Sequence, residues 1–216
     1  MDPSERMIET IVAEARTTGR QTGRVRLDQR VLEALRTLPR DAFVPDDLAD
    51  RAYDDRPLPI GGGQTISQPF IVALMTDLLS PAPDDRILEV GTGCGYQAAV
   101  LAELVTAVYS IEYLPELARQ AEATLTRLGY DNIQLRTGNG REGWPEAAPF
   151  DGVIVTAGST DVPPALVDQL APGGTMVIPV GTGRMGQDLL RITKSPDGQV
   201  EREALLPVAF VPLEGH

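Results

Sequence analysis

Three glycines at alternate positions follow an acidic residue and define the first candidate site. Glu89 lies near the end of a strand predicted over 86–90, and the glycines are Gly91, Gly93 and Gly95. Glycine lets the backbone turn sharply and come close to a ligand, where a Cβ would collide. The dinucleotide fingerprint and the phosphate-binding P-loop have other spacings, and the P-loop also needs a lysine that this loop lacks. The spacing indicates a site for another small ligand, or a tight turn with no ligand.

Polar positions at the ends of the next two predicted strands extend this candidate site. Glu112 comes seventeen positions after Gly95, and an acid about 20 residues beyond a glycine loop can accept hydrogen bonds from ribose hydroxyls. The alternative is that Glu112 caps the helix predicted to begin near Pro115. The third strand leads into Gly138-Asn139-Gly140, a composition that also suits a plain turn. Both segments are expected at the carboxyl edge of the sheet, where open α/β folds bind ligands.

The inventory of histidine and cysteine excludes several kinds of chemistry. The only histidine is His216, the last residue, and the only cysteine is Cys94. Ser-His-Asp and Cys-His triads need an imidazole in a structured site, and zinc sites built from histidine and cysteine need several ligands. We therefore expect a reaction that needs neither histidine nor a bound metal. A lone cysteine cannot pair within the chain, which favours a reducing, cytoplasmic location.

Length and charge narrow the class of protein and its partners. The chain has 216 residues, 19 of them basic and 31 acidic, and its net charge is −12. This length predicts one domain, and the charge disfavours the phosphate backbone of a nucleic acid as the main substrate. No apolar run approaches the ~18 residues that a membrane span needs. We expect a monomeric protein with neither a nucleic acid nor a membrane as its partner.

The N-terminal part of the chain predicts helices around a long loop. Apolar residues at helical spacing predict a helix over 4–17 with Ser4 as its N-cap. A second helix is predicted to start at Asp28 and to stop before the loop. The loop, 39–69, is rich in proline and glycine and is predicted to hold little regular structure. Loops of this length inside a domain are uncommon and often functional, and Pro69 then opens another helix.

The rest of the chain alternates short apolar strands with amphipathic helices. Strands are predicted over 86–90, 107–111, 133–136, 152–155 and 175–180, with helices over 96–104 and 115–128. This alternation predicts an α/β fold with a mostly parallel, doubly wound sheet and helices on both faces. Two late strands, 189–193 and 200–211, are expected to be antiparallel because their link is short. We predict one domain, 1–216, in which 1–80 supplies helices and a functional loop and 81–216 the core.

The loop before the Pro69 helix carries the most specific pattern. Its residues 51–69 read RAYDDRPLPIGGGQTISQP. They resemble the segment that precedes the first motif in protein-L-isoaspartate O-methyltransferases, and the acid-Gly-x-Gly-x-Gly spacing resembles the first motif of S-adenosylmethionine-dependent methyltransferases. Segments downstream that also resemble the family are 151–157, 163–174, 178–181 and 210–213. The resemblance runs from about Asp28 to the C-terminus and departs at Asn139, where many relatives carry aspartate, and at Gly158, where relatives often carry alanine.

The resemblance implies a Rossmann-like methyltransferase fold and a defined reaction. The donor is the sulfonium methyl of S-adenosyl-L-methionine, which becomes S-adenosyl-L-homocysteine. The acceptor is the free α-carboxylate of an L-isoaspartyl residue in a damaged protein or peptide, and the methyl ester collapses to a succinimide without the enzyme. A carboxylate with a pKa of ~4 is ionised at neutral pH, so no general base is needed. The lack of a structured histidine agrees with this chemistry.

The resemblance also gives roles to individual residues. Ser67 matches the family's active-site serine, whose neutral hydroxyl orients one carboxylate oxygen, although its position alone favours an N-cap of the next helix. Asn139 is expected to accept a hydrogen bond from the adenine amino group. Residues expected to contact the cofactor are Thr65, Ile66, Glu89, Gly91, Thr92, Gly93, Gly95, Glu112, Asn139, Gly140 and Gln187.

Three other functions stay open from the sequence. A related enzyme could methylate a normal aspartate in a partner peptide and form an aspartimide. A non-catalytic module could bind the cofactor on the same fold, which the intact glycine loop together with Ser67 disfavours. A nucleic-acid methyltransferase is disfavoured by the net charge of −12 and by the absence of a basic patch with interleaved aromatic residues.

Overall fold

Nine strands and six α-helices make up the fold in a computed structural model that describes residues 2–182 and 186–215. The strands are β1 (Leu58–Gly61), β2 (Gln64–Ile66), β3 (Arg86–Val90), β4 (Ala107–Glu112), β5 (Ile133–Thr137), β6 (Phe150–Val155), β7 (Leu170–Gly181), β8 (Gln187–Lys194) and β9 (Val200–Val208). The helices are α1 (Pro3–Thr22), α2 (Gln29–Thr37), α3 (Pro69–Leu79), α4 (Tyr96–Ala102), α5 (Pro115–Arg127) and α6 (Pro164–Gln169).

The central sheet has seven strands in the order β5-β4-β3-β6-β7-β8-β9. The first five in this order run parallel, and β8 and β9 join them as antiparallel strands. Since β3 pairs with β4 on one side and with β6 on the other, the direction of strand order reverses beside β3. Ligands of open α/β sheets bind in the crevice that such a reversal leaves at the carboxyl ends of the strands. The predicted α/β sheet and its antiparallel last strands are confirmed.

Helices cover both faces of the sheet because alternate side chains of each strand point to opposite faces. Ile87 and Val108 belong to an apolar cluster that also takes in side chains of α1 to α5. Leu88 and Val153 belong to a second cluster, which includes Leu166 of α6. Among the helices of residues 2–182 and 186–215, none is both long and apolar enough to cross a membrane.

The first helix is longer than its apolar pattern predicts. Asp2 is its N-cap, because the Asp2 carboxylate accepts a hydrogen bond from the Ser4 backbone N–H at 2.9 Å. The prediction of Ser4 as the N-cap is therefore wrong. The helix continues to Thr22 and ends at Gly23, which has φ 68° in the left-handed region that favours glycine. Its last five residues, TGRQT, give no apolar signal for the extra turn.

The long loop contains more structure than its proline and glycine content predicts. Two short 3-10 helices occupy 40–43 and 46–51, and β1 and β2 form a separate antiparallel hairpin. The hairpin turn runs through Gly61, Gly62 and Gly63, all with positive φ. The β1–β2 hairpin connects the second 3-10 helix to α3.

One apolar cluster contains side chains from both predicted parts of the domain. Ile11 of α1 and Leu74 of α3 are fully buried, as is Ile154 of β6, and all three belong to this cluster. The N-terminal helices therefore pack as a layer on one face of the sheet. The division of a single domain at residues 80 and 81 stays a prediction.

Candidate active site

The glycine loop joins the end of β3 to the start of α4, at the reversal of strand order. Gly91, Gly93 and Gly95 have φ angles of 98°, 55° and 91°, which residues with a Cβ rarely adopt. Space also requires glycine at position 91, since a Cβ there would lie 2.5 Å from Thr156 Oγ1. This hydroxyl donates to the Gly91 carbonyl at 2.6 Å and so ties the loop to the residue that follows β6.

Glu112 is the last residue of β4 and is held in place by two backbone groups. Its Oε2 accepts from the Gly93 N–H at 2.8 Å, and its Oε1 accepts from the Leu114 N–H at 2.9 Å. The side chain is nearly buried but reaches the cavity in front of the glycine loop. A carboxylate has about four acceptor sites, so each oxygen keeps capacity for a hydroxyl donor. Glu112 does contact the start of the next helix, and it also presents acceptors to the cavity.

We name this cavity the glycine cleft; it contains about 730 Å³ of empty space, part of which is open to solvent. Eight residues expected at the site line it: Thr65, Ile66, Ser67, Gly91, Thr92, Gly93, Glu112 and Gly140. The β1–β2 hairpin and the ends of β3, β4 and β6 therefore meet around one space. These eight positions are far apart in sequence, and the sheet order brings them together.

The glycine cleft also has lining residues that sequence reasoning missed. They include Tyr113, which is 47% exposed, Thr156, and the C-terminal segment 211–214. Tyr113 directly follows Glu112, so its position beside that acid was a usable signal. Residues 210–213 carried a resemblance to the family, but nothing local in the sequence indicated that the segment crosses the end of the sheet.

A second cavity, which we name the C-terminal groove, opens beside the glycine cleft. One wall comes from the chain around Ser67 and the start of α3, and the other from residues 207–211. Four residues line both cavities: Thr65, Ser67, Thr156 and Val211. Two ligands bound side by side in these cavities would therefore meet at this shared edge.

Ser67 lies on the shared edge with its hydroxyl available to a ligand. Within residues 2–182 and 186–215 its Oγ makes no hydrogen bond, and the N-cap of α3 is Gln68. Asp55 satisfies the start of this helix instead: its Oδ1 accepts from the Phe70 N–H at 2.9 Å, and its Oδ2 accepts from Gln68 Nε2 at 2.8 Å. The alternative that Ser67 is an N-cap is wrong.

Glu89 lies behind the glycine cleft and is fully buried. The Ser110 hydroxyl donates to Glu89 Oε2, and Ser110 Oγ lies 2.6 Å from Thr92 Oγ1. The other carboxyl oxygen, Oε1, has no hydrogen-bond partner in the described part of the chain. Burial raises the pKa of Glu89 to about 8, so the carboxyl group is protonated at neutral pH. The structure does not bring Glu89 to the cleft wall as expected; it supports Thr92, which is part of that wall.

Asn139 makes local contacts instead of lining the cleft. Its Oδ1 accepts from the Arg141 N–H at 3.0 Å and its Nδ2 donates to Glu142 Oε1 at 3.2 Å, so it caps the 3-10 turn 140–142. The neighbouring Gly140 lines the cleft in its place. Because Asn139 Oδ1 has a second lone pair, the turn contact leaves it an acceptor, and its expected hydrogen bond with the adenine amino group stays a prediction.

Gln187 and Gly95 are two further expected contact residues that do not line the cleft. Gln187 is buried, accepts from the Phe210 N–H at 2.8 Å and donates to the Phe210 carbonyl at 3.2 Å. A Cβ at Gly158 would overlap the Gln187 amide group, so glycine there leaves room for this pairing. Gly95 is the N-cap of α4, and a Cβ there would lie 3.2 Å from Leu125. Both residues lie behind the cavity linings and contact the segments that form them.

Cys94 lines the cleft but has no feature of a nucleophile. Burial raises the pKa of its thiol to about 11, whereas the reactive form of cysteine is the thiolate. In the ranges that the structure describes, no group of three or more His, Cys, Asp or Glu side chains could hold a metal ion. His216, the only histidine, lies outside the described residues.

The donors and acceptors of the glycine cleft fit an adenosyl group. Glu112 offers carboxylate oxygens to a ribose diol, the open glycine backbone leaves space at Gly91 and Gly93, and Ile111 and Leu213 supply apolar wall for a base. The described lining of both cavities contains no lysine, arginine or histidine. A cationic ligand in the cleft would therefore meet no repulsion from its walls.

A family model and curated relatives match nearly the whole chain. The model for Protein-L-isoaspartate(D-aspartate) O-methyltransferase (PCMT) matches residues 14–216. Protein-L-isoaspartate O-methyltransferase 2 from Polaromonas sp. (strain JS666) is 54% identical over 209 residues, which cover 97% of this chain and 99% of that protein. The protein of the same name from Nitrosococcus oceani is 54% identical over 215 residues, covering 100% and 98%.

Solved structures share the fold. A protein-L-isoaspartate O-methyltransferase superposes with a TM-score of 0.81 at 27% identity, covering 96% of this chain and 66% of that chain. A structure from Plasmodium falciparum, described as a protein-L-isoaspartate O-methyltransferase in complex with S-adenosyl-L-homocysteine, gives a TM-score of 0.77 at 24% identity, covering 95% and 97%.

Proposed function

The chain belongs to the protein-L-isoaspartate O-methyltransferase family, and from this premise we propose how its two cavities divide the reaction. The enzyme is an S-adenosylmethionine-dependent carboxyl O-methyltransferase that methylates the free α-carboxylate of L-isoaspartyl residues and so initiates repair through a succinimide. The glycine cleft holds the cofactor, and the C-terminal groove holds the isoaspartyl segment of the damaged protein.

On the cofactor side, residues at the strand ends bind and orient. When bound, S-adenosylmethionine supplies an electrophilic methyl group on a cationic sulfur. Glu112 would accept hydrogen bonds from the ribose hydroxyls, and its two backbone contacts fix the carboxylate before the cofactor enters. Gly91 and Gly93 allow close approach of the loop, and Tyr113 and Leu213 in the cleft lining would supply apolar contacts to the nucleoside.

On the acceptor side, Ser67 orients the reacting carboxylate. Its free Oγ donates a hydrogen bond to one carboxylate oxygen, so that the second oxygen faces the glycine cleft across the shared edge. The residues 207–211 and the side chain of Ile71 form the walls that hold the flanking peptide. Such alignment of two reactants can contribute up to roughly 7–11 kcal/mol to lowering a barrier.

The charges of the cavity linings agree with a cofactor site beside an acceptor site. A carboxylate that attacks a cationic carbon loses charge in the transition state, so a strong cation beside it would stabilise the ground state more than the transition state. The described linings of the two cavities contain no lysine, arginine or histidine. A neutral hydroxyl such as that of Ser67 orients the acceptor without this cost, and exclusion of water keeps the reacting charges close.

The observation that carries the proposal is the Ser67 hydroxyl, which has no hydrogen-bond partner among the described residues and lies on an edge shared by two cavities whose described linings contain no lysine, arginine or histidine. It is tested by methyl transfer from labelled S-adenosylmethionine to a peptide that contains L-isoaspartate and to the same peptide with normal aspartate. We expect transfer to the first with kcat/KM at least ~100-fold higher, because a site built around one polar group rejects a misplaced one. Equal transfer to both peptides would favour aspartate methylation, and no transfer to either would overturn the proposal.

A further inference from the structure

Arg40 is a buried cation with no carboxylate partner among the described residues. Its side chain is fully buried in the first 3-10 helix of the long loop. Nε donates to the Ala52 carbonyl at 2.7 Å, and Nη2 donates to the Ser67 carbonyl at 2.7 Å. The guanidinium carbon lies 4.5 Å from the centre of the Tyr96 ring. A buried charge without a counterion is costly, so its contacts to main-chain oxygens require an explanation.

These contacts connect both sides of the site. Ala52 directly follows the second 3-10 helix, and Ser67 lies on the shared edge of the two cavities. Tyr96 is the first residue of α4, next to the glycine loop, and it also lines the glycine cleft. One guanidinium group therefore joins the chain that carries Ser67 to the helix that follows the glycine loop.

We propose that Arg40 is a positioning residue that sets the Ser67 hydroxyl relative to the glycine cleft. This inference rests on the proposed role of Ser67. The Arg40 bond fixes the carbonyl of Ser67, while Asp55 fixes the N–H of Phe70 three residues later. The backbone around Ser67 is thus held at both ends, and its hydroxyl stays free to turn toward a carboxylate.

The geometry explains why an arginine serves here. The guanidinium group is planar, so it can donate to two carbonyls from one edge and stack its face on an aromatic ring. Nε and Nη2 donate to main-chain oxygens, and Nη1 is buried without a hydrogen-bond partner among the described residues. Because Arg40 is fully buried and lines neither cavity, the cation does not form an ion pair with an acceptor carboxylate in the groove. A lysine has three N–H donors on one flexible tip, but it lacks the planar fork and face that fix the two carbonyls and the ring in one geometry.

The test is a double-mutant cycle between Arg40→Lys and Ser67→Ala on the full chain. The measurements are kcat and KM with an isoaspartyl peptide, the dissociation constant of S-adenosyl-L-homocysteine and the melting temperature. We expect Arg40→Lys to lower kcat ~10-fold, equal to ~1.4 kcal/mol, with the dissociation constant changed less than ~2-fold. In the Ser67→Ala background the same substitution should change the residual kcat less than ~2-fold, because no hydroxyl remains to be misplaced.

Arg127→Lys is the matched control, since the exposed Arg127 also donates to a carbonyl of the long loop, that of Ala42 at 3.5 Å. It should leave kcat unchanged. An equal loss of kcat from Arg40→Lys in both backgrounds, or no loss in either, would overturn the positioning role. If Arg40→Lys does not fold, Arg40→Met replaces it in the same cycle, and failure of both to fold would assign Arg40 to stability alone. A parental kcat in Ser67→Ala by itself would instead overturn the role of Ser67.

Discussion

The two cavities differ in how the chain builds them. The glycine cleft lies at the carboxyl ends of the parallel strands, and its carboxylate, Glu112, is fixed by two backbone N–H groups, those of Gly93 and Leu114. The C-terminal groove is made of 57–71 and 207–211, which lie at opposite ends of the sequence. The glycine cleft is therefore formed at the end of the sheet, whereas the C-terminal groove is formed where two segments distant in sequence pack together.

This difference has consequences for mutation. A change in the glycine cleft should act on the cofactor with little effect on the acceptor, because the strand ends are set by the buried sheet. A change behind the groove should act on the acceptor, because buried contacts of the 207–211 wall set the shape of the groove. Gln187 is the clearest case, because its amide nitrogen donates to the Phe210 carbonyl and its amide oxygen accepts from the Phe210 N–H.

The largest effect is expected for Glu112→Ala. Loss of two charge-assisted hydrogen bonds to ribose, each ~1.5–3 kcal/mol, should raise the dissociation constant of S-adenosyl-L-homocysteine ~10²–10⁴-fold. The KM for an isoaspartyl peptide at saturating cofactor should change little. Calorimetry and steady-state kinetics measure both quantities, and the exposed Glu116→Ala on the first turn of α5 is the control. An unchanged dissociation constant would remove Glu112 from the cofactor site.

For Gln187→Leu we expect a smaller effect, and one that falls on the KM for the peptide more than on the affinity for the cofactor. The substitution keeps the size of the side chain but leaves the buried N–H and carbonyl of Phe210 unpaired, at a cost of ~1–3 kcal/mol. Displacement of 207–211 should raise the KM for the peptide ~3–10-fold, with a lesser change in cofactor affinity. Kinetics with Gln120→Leu, an exposed glutamine of α5, provides the comparison. Equal losses of cofactor and peptide affinity would show that the two cavities are not independent.

The smallest effect is expected for Glu89, which is buried behind the glycine loop, and it concerns the pH dependence of stability. The raised pKa of Glu89 means that between its usual 4.5 and about 8 the folded chain holds a proton that the unfolded chain releases. The free energy of unfolding therefore falls as pH rises through this range. Glu89→Gln cannot ionise, so its melting temperature should fall less between about pH 6 and about pH 9, by ~2–4 °C for each ~1 kcal/mol.

Thermal melts of Glu89→Gln need a control with the same change of charge. Glu122→Gln removes an exposed carboxylate on α5 and should keep the pH dependence of the parent. If Glu89→Gln also keeps it, the buried carboxyl group does not titrate in this range, and the protonated state assigned to it is wrong.

Sequence reasoning succeeded where the signal was local. The strand predicted over 86–90 is observed at Arg86–Val90, because a buried parallel strand reads as a short apolar run. Gly91 and Glu112 also line the cleft as expected, since Gly91 follows β3 and Glu112 ends β4 at the same edge of the sheet. The α/β fold and the parallel sheet followed from the same alternation of strands and helices.

The rest depended on contacts that spacing does not encode. Spacing did not indicate that the Asn139 side chain caps the next turn and lies outside the cleft lining, and its contact with the adenine stays a prediction. Gln187 was expected at the cofactor and instead bonds to Phe210. The groove wall at 207–211 was missed because its partner segment lies about 140 residues earlier in the chain.

The central claim is that the Ser67 hydroxyl acts on the acceptor at the edge between the two cavities. The most direct measurement compares kcat on an isoaspartyl peptide with the affinity for S-adenosyl-L-homocysteine in Ser67→Ala. Loss of one hydrogen bond to a charged acceptor, ~1.5–3 kcal/mol, predicts a kcat ~10–100-fold lower and a dissociation constant changed less than ~2-fold. A parental kcat, or a loss of cofactor affinity as large as the loss of kcat, would contradict the account.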